Sequence, residues 1–356
     1  TASDFDLNGN TIYPISNITR ASGNLIAGSN SNITYTSGSS HNLCAFSDNN
    51  ISVKTTGTTT KTITTTGNID CRMIDLSNKN STFLVDGETI TIDEKLDIEE
   101  GTFQITSGTI DINDGTNDAL IIVTSDAKLD IDGGTVNVGG SGDSNSELDM
   151  TNGTLEISAG TLNINDELDV ADGTITQTGG TINIKNYVGS AGGTSTGKFV
   201  MDAGTLNLTS GTLRINGQTT TSASSNPAMS IAVGVTVNAN ANHTTLIQSN
   251  NTSSNDEDIY LNINGHNLGA LSINLSGHEV YLQSAIGLEG NLTISAGDLQ
   301  SVSGQTLTMS GGTQTISIAG GSVTGTDAGS GNDLTLAISS GSTTTFTGNA
   351  TSNSDH

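Results

Sequence analysis

One short unit recurs every six or seven residues between Leu148 and Ile184, and it constrains the fold more than any other feature of the chain. The segment reads LDMTNGT LEISAGT LNINDE LDVADGT ITQTGGT INI. In units such as Leu155-Glu156-Ile157, aliphatic and polar residues alternate, so the aliphatic side chains point to one side of an extended chain. Each unit is therefore predicted to be a short β-strand with one apolar face.

A Gly-Thr pair separates most of these units, and we expect it to form the corner between strands. The pairs begin at Gly153, Gly160, Gly173 and Gly180. Glycine reaches the positive φ that a sharp bend requires, and the threonine after it returns the chain to the β region. A three-residue strand is unstable alone, because its contacts do not offset the entropy lost on ordering it. Stacking of successive coils solves this, because every backbone group then finds a partner.

The repeat predicts an all-β fold, a right-handed, three-sided parallel β-helix with about 19–21 residues per coil. The handedness follows the general rule for parallel crossover connections. At that period the 356 residues correspond to on the order of 16 coils, stacked about 4.8 Å apart. Such a narrow interior has little room for rings, in agreement with an aromatic content of 3%.

The regularity of the repeat varies along the chain and predicts five sections. Residues 1–90 are expected to be an irregular first section or cap. Residues 91–217 are the regular β-solenoid, with loop insertions predicted at Asn113 to Asp126, Gly139 to Ser146 and Asn186 to Gly197. Residues 218–260 form a looser section, residues 261–346 continue the solenoid and residues 347–356 form a tail. The three insertions are natural places for contacts with partners.

Two cysteines, Cys44 and Cys71, lie little more than one predicted coil apart in the first section. A bridge between neighbouring coils is geometrically reasonable, and an exported protein would oxidise it. The spacing therefore predicts a Cys44–Cys71 disulfide. The alternative is a pair of small buried residues with reduced thiols.

The chain has a formal net charge of −26 and only 10 Lys plus Arg residues. This balance argues against nucleic acid and anionic membrane surfaces as partners, since both require a basic surface. No stretch of about eighteen apolar residues occurs, so no membrane span is predicted. The first residue is Thr1 rather than Met, which favours removal of a signal peptide or of part of a larger precursor, and an extracellular or cell-surface location.

Oxygen-bearing side chains crowd one of the predicted loops. They are Asp111, Asn113, Asp114, Asn117 and Asp118. Calcium takes about six to eight oxygen ligands from such groups, so these residues are candidate Ca²⁺ ligands, and no cofactor is otherwise expected. The spacing departs from the EF-hand pattern, and a polar turn without an ion stays open as the alternative.

Two segments, GTLEISAGTL from Gly153 and GNLTISAG from Gly290, resemble the β-strand-repeat proteins of bacterial cell surfaces. That group contains exported adhesins, filament subunits and autotransporter-like passengers that form parallel β-helices. The resemblance implies export and a right-handed coil. It says little about function, because many unrelated surface proteins share the repeat.

The sequence contains no phosphate-binding loop and no catalytic Ser/His/Asp order, so we do not expect an enzyme. Our leading hypothesis is an exported structural protein, a subunit of an extracellular filament, sheath or adhesive appendage, with other copies of itself as head-to-tail partners. The first alternative is a monomeric adhesin or glycan-binding stalk. The second is a polysaccharide-degrading β-helix enzyme, which the absence of Trp and the scattered basic residues disfavour.

Overall fold

The chain folds almost entirely into β-strands. The computed structural model describes residues 5–14, 18, 25–28, 30–113, 119–139, 146–184, 197–216, 227–248, 258–323 and 334–348. Their regular structure is β-strand, the strands pair in parallel, and one long sheet of many strands closes into a ring. The predicted parallel β-helix is confirmed.

Thirty-four strands follow one another along the described residues. The first seventeen are β1 (Phe5–Asp6), β2 (Thr11–Ile12), β3 (Leu25–Ile26), β4 (Ser31–Tyr35), β5 (Ser40–Leu43), β6 (Phe46–Ser47), β7 (Ile51–Thr55), β8 (Lys61–Thr65), β9 (Ile69–Ile112), β10 (Leu120–Ile122), β11 (Ala127–Ile131), β12 (Thr135–Val138), β13 (Leu148–Met150), β14 (Thr154–Ile157), β15 (Thr161–Ile164), β16 (Glu167–Val170) and β17 (Thr174–Gln177). The others are β18 (Thr181–Ile184), β19 (Lys198–Met201), β20 (Thr205–Leu208), β21 (Gly211–Asn216), β22 (Met229–Ile231), β23 (Thr236–Ala239), β24 (His243–Gln248), β25 (Ile259–Asn262), β26 (Asn267–Leu268), β27 (Ala270–Leu282), β28 (Ile286–Leu288), β29 (Leu292–Ser301), β30 (Thr306–Met309), β31 (Thr313–Ile318), β32 (Gly321–Val323), β33 (Thr335–Ile338) and β34 (Thr343–Gly348).

The strands belong to two compact units, and each unit is a three-sided stack. The first unit comprises Thr1–Asn165 and Val170–Ile175, and the second comprises Asp166–Asp169 and Thr176–His356. In the first unit, β9 runs through several corners and pairs with β10, β11 and β12 on three sides. In the second unit, the three sides are represented by the pairs β20–β23, β21–β24 and β22–β25.

Inward positions are aliphatic and fully buried, as the alternation predicts. In the first unit, Leu129 and Ile131 stack on Leu155 and Ile157, and none of the four has exposed surface. Burying each such side chain contributes about 1.5–3 kcal/mol relative to leaving it in water. The outward residues between them are half-buried. The repeated Leu-x-Ile unit therefore supplies the hydrophobic core.

Glycine forms the corners, as predicted. The φ angles of Gly153, Gly160, Gly173 and Gly180 are 90°, 74°, 115° and 61°. At these corners both the backbone conformation and the space for a side chain are restricted. A Cβ atom on Gly160 would lie 2.6 Å from the carbonyl oxygen of Gly134 in the neighbouring coil. Only a residue without a side chain satisfies both conditions.

Coil length follows the predicted period except where residues are inserted. Register partners on adjacent coils are 20 residues apart for Lys61 and Ser81, but 31 apart for Asn183 and Arg214. The predicted insertion 186–197 lies between the last two residues, which accounts for the extra length. Most residues of the three predicted insertions, namely 114–118, 140–145 and 186–196, lie outside the described residues.

One predicted loop is partly wrong, because strand β10 lies within Asn113 to Asp126. Leu120 and Ile122 are buried and stack on Leu96 and Ile98. The strand was missed because its outward residue, Ile121, is also apolar, so the polar alternation that marks the other strands is absent.

The predicted disulfide is not formed, since Cys44 and Cys71 are both reduced. The register between adjacent coils explains why the two cysteines do not meet. Phe46 pairs with Ile69, so Cys44 lies two residues before this point and Cys71 two residues after it. Four extended residues span about 13 Å, whereas the Cα atoms of a disulfide are about 4–7 Å apart. Cys71 is instead a buried residue of the core, and burial raises the pKa of its thiol.

The substitution Gly160→Ala tests the corner geometry. We expect it to lower the free energy of unfolding by about 1–3 kcal/mol, because the backbone is left-handed and the new methyl group meets a carbonyl oxygen. Chemical denaturation followed by circular dichroism measures this. Gly234→Ala is the matched control, since a Cβ atom there meets nothing within 4 Å. Equal stabilities of Gly160→Ala and the wild type would contradict the corner argument.

Candidate functional site

The candidate calcium ligands fall only partly within the described residues. Asp111 lies at the end of β9, and its Oδ1 accepts a hydrogen bond of 2.6 Å from Asn137 Nδ2. Asn137 in turn accepts a hydrogen bond of 2.7 Å from Asn163 Nδ2. Asp111 is thus the first member of a ladder of outward polar side chains on successive coils, and Asn113 follows β9 directly.

Asp114, Asn117 and Asp118 lie outside the described residues. Within the described ranges, no group of three His, Cys, Asp or Glu side chains has the geometry to hold a metal ion. The calcium site therefore stays a prediction.

The second unit brings together an acid–tyrosine cluster that the sequence reasoning missed. We give this name to Asp258, Tyr260, Glu279, Tyr281 and Asp298. In the coil register, Glu279 pairs with Asp298 and Tyr260 pairs with Tyr281, and Asp258 immediately precedes β25. Three carboxyl groups and two phenol rings therefore occupy neighbouring outward positions on successive coils. All five side chains are half-buried.

Short contacts hold this cluster together. The rings of Tyr260 and Tyr281 are stacked, with centroids 5.0 Å apart and planes inclined by 16°. The Oδ1 atom of Asp258 accepts a hydrogen bond of 3.0 Å from the backbone N–H of Glu279. The Oδ1 atom of Asp298 accepts one of 2.7 Å from the hydroxyl of Ser322.

The carboxyl groups perturb one another. A hydrogen bond to Asp258, followed by burial and by repulsion from Asp258 and Asp298, raises the pKa of Glu279 to about 7. Burial, with smaller contributions from Asp258 and Glu279, raises the pKa of Tyr281 to about 12. Among the described residues, these carboxyl groups form one ion-pair contact with a basic side chain, in which His278 Nδ1 lies 3.9 Å from Asp258 Oδ1. The interactions within the cluster therefore favour the protonated form of Glu279.

This arrangement limits the chemistry that the cluster can perform. A carboxyl group that keeps its proton near neutral pH can act as a proton donor. The two carboxyl groups of a glycosidase are about 5–10 Å apart, however, to leave room for the sugar or a water molecule. Asp258 and Glu279 are close enough for the Asp258 carboxyl group to raise the pKa of Glu279.

A sequence signal for the cluster exists. The pattern acid–aliphatic–tyrosine occurs as Asp258-Ile259-Tyr260 and, one coil later, as Glu279-Val280-Tyr281. A search for outward residues repeated at the coil period would have found it. The predicted boundary between sections 218–260 and 261–346 falls between the two occurrences of this pattern.

Two buried polar side chains elsewhere, Lys61 and His243, have structural partners. Lys61 is 2% exposed, and its Nζ donates hydrogen bonds to the carbonyl oxygens of Thr56 (2.5 Å) and Tyr35 (3.3 Å). His243 is fully buried with Nε2 3.0 Å from Gln177 Oε1, and burial lowers the pKa of its ring to about 4. These groups lie inside the coils and do not form a site that is open to a ligand.

A second candidate site is the last described coil, which we call the C-terminal face. It consists of β32, β33 and β34, one strand on each side of the stack. Each pairs with a strand of the coil beneath, namely β29, β30 and β31. No other described strand pairs with them, so one backbone edge of each is unpaired within the described residues.

The inward side chains of the C-terminal face are exposed. Val323, Leu336, Ile338 and Phe346 are 36%, 38%, 47% and 56% exposed. In the coil beneath, the residues that pair with them are at most 3% exposed, and they are Leu299, Leu307, Met309 and Ile316. The C-terminal face is therefore core surface without a covering coil among the described residues.

Comparison with protein-family models, with curated proteins and with solved structures finds no match to this chain. Consequently, no relative assigns a family or an activity to either candidate site. Among the residues that the structure describes, no helix has the length and apolar character needed to cross a membrane.

The substitution Glu279→Gln tests the raised pKa of Glu279. Folding raises the pKa of Glu279 from 4.5 to about 7, so the folded state loses stability as the pH rises through this range. We expect the wild-type melting temperature to fall between about pH 5 and about pH 8, and the variant to lose part of this dependence. The amide keeps a hydrogen-bond donor for Asp258 but cannot ionise.

Asp202→Asn is the matched control, because it removes one negative charge from an exposed position outside the cluster. Differential scanning calorimetry over this pH range provides the measurement. If Glu279→Gln and the wild type show the same pH dependence, folding does not raise the pKa of Glu279.

Proposed function

We propose that this chain is an exported structural protein, a subunit of an extracellular filament, sheath or adhesive appendage whose copies join through the ends of their β-helices. The observation that carries the proposal is the C-terminal face. Its strands present unpaired backbone groups and exposed core side chains, such as Ile338 and Phe346, on one surface. Unpaired strand edges are templates for pairing with another chain.

Energetics support the same conclusion. Burying apolar surface contributes about 25 cal/mol per Å², and pairing the free edges satisfies N–H and C=O groups that otherwise need water. Both gains are available to any added coil of similar cross-section, and another copy of the chain supplies one. The resemblance of the Gly153 and Gly290 segments to repeats of bacterial surface proteins supports export.

Assembly should depend on concentration and on the C-terminal face. We expect the wild type to form species larger than the 36.1 kDa chain as its concentration rises. The double variant Leu336→Asp/Ile338→Asp should shift assembly to markedly higher concentration, because carboxylates resist burial. Light scattering after size-exclusion chromatography, together with electron microscopy, measures both.

Val233→Asp is the matched control, since Val233 is 77% exposed and lies in the same unit but outside the C-terminal face. It introduces the same kind of charge and should leave assembly unchanged. A wild type that remains monomeric at every concentration would refute the proposal.

A second candidate function, binding of a neutral glycan, is favoured by the stacked pair Tyr260 and Tyr281. Aromatic side chains commonly line ligand sites, and the neighbouring carboxylates can accept hydrogen bonds from sugar hydroxyls. The same carboxylates, Asp258 and Asp298, would repel a uronic acid or a sulfated sugar. The chemistry thus points to uncharged sugars.

Tyr281→Ala tests this second candidate. On a glycan array, we expect wild-type binding to uncharged glycans, and a loss of affinity of about tenfold in the variant, or 1.4 kcal/mol, by calorimetry. Tyr13→Ala is the control, because Tyr13 is an exposed tyrosine outside the cluster. Equal losses in the two variants, or a wild type that binds no uncharged glycan, would count against glycan binding.

A further inference from the structure

We infer that the C-terminal face of one copy binds the C-terminal face of a second copy, so that two second units meet end to end about a two-fold axis. The inference rests on the proposed function and specifies it. A head-to-tail filament would place the C-terminal face against the opposite end of the next chain. The distribution of apolar surface and of charge instead favours contact between the C-terminal faces of two copies.

Apolar surface is the first argument. The exposed large apolar residues among those described are Tyr13, Val233 and the four side chains of the C-terminal face. Near the other end of the described chain, the core residues Leu7 and Leu25 are buried. The described residues therefore offer one surface that matches the C-terminal face in apolar character, which is the same face on another copy. A contact between identical patches is isologous and joins two copies, and growth into a filament then requires a second contact elsewhere on each copy.

Charge is the second argument. Two chains with a formal net charge of −26 each repel one another, so contact is least costly where both surfaces are neutral. Between Leu299 and Gly348 the sequence contains only two charged residues, Asp327 and Asp333. Strands β32, β33 and β34 contain none. The three strands of the C-terminal face are thus uncharged, on a strongly acidic protein.

Backbone geometry permits this contact. A two-fold axis perpendicular to the stack superimposes a three-sided coil on its copy when the axis passes through one corner and the middle of the opposite side. The strand on that side then meets its own counterpart, and the other two strands exchange partners. All three contacts run antiparallel, a pairing at least as stable as the parallel one. The free edges can therefore pair without a change of strand direction within either chain.

Cross-linking of single introduced cysteines tests the direction of the contact. Val323→Cys, Leu336→Cys and Phe346→Cys, one on each strand of the C-terminal face, are made separately in a Cys44→Ser background, while Cys71 is buried and is retained. A short bis-maleimide reagent then joins two thiols that lie close together. We expect covalent dimers with at least one of the three variants and no larger products. Val233→Cys in the same background is the control and should remain monomeric on a denaturing gel.

A further variant measures the strength of the contact. Phe346→Asp should raise the dimer dissociation constant by on the order of tenfold or more in analytical ultracentrifugation, whereas Val233→Asp should not. If both variants dimerise as tightly as the wild type, the C-terminal face is not the interface.

The other outcomes separate this inference from the proposed function. Long assemblies without self-cross-linking at any of the three positions would establish head-to-tail contacts, which overturns this inference and retains the proposed function. Monomers at every concentration overturn both. Monomers whose introduced thiols also fail to react with a maleimide would show that the chain's own residues cover the face, and this too overturns both.

Discussion

The parallel hydrogen-bond ladder between successive coils is the interaction on which the rest of the structure depends. Every strand must meet its neighbour at one strand spacing, which requires coils of matching path and corners that turn sharply. The glycines at 153, 160, 173 and 180 satisfy the second requirement with positive φ angles. Additional residues are accommodated between strands, as for the 31-residue step from Asn183 to its register partner Arg214, and the ladder itself keeps its register.

The ladder also determines which surface residues meet. Because the backbone is in register, each outward side chain lies next to the side chain at the same position one coil away. Asp111, Asn137 and Asn163 exploit this in a chain of hydrogen bonds, since an amide both donates and accepts. The same geometry places Asp258 near Glu279 and Glu279 near Asp298, where acids must share a proton or repel. One constraint thus produces both a stabilising ladder and an electrostatically strained one.

The ladder ends at the last described coil, whose strands have a neighbour on one side and none on the other within the described residues. The strands of the C-terminal face continue the register of the coil below, with Leu336 on Leu307 and Phe346 on Ile316. Their inward side chains are apolar because every coil follows the same pattern, including the last. The features that build the interior of the unit therefore leave apolar side chains exposed on the last described coil. We propose that the scarcity of charge after Leu299 lets two acidic chains approach at this surface.

Local sequence pattern sufficed for the coil, because the alternation in Leu155-Glu156-Ile157 and the glycine corners encode strand faces and bends through nearest-neighbour geometry. It also led to the expectation of an open end. The local sequence pattern failed to predict contacts that depend on the register between residues one or more coils apart. Cys44 and Cys71 have a plausible spacing but are offset by four positions, and strand β10 is recognisable only by its partners on adjacent coils. The acid–tyrosine cluster and the exposure of Phe346 likewise become visible only in the structure of the stacked coils. Side-chain direction is a local property of an extended chain, whereas proximity between coils depends on the length of every intervening corner.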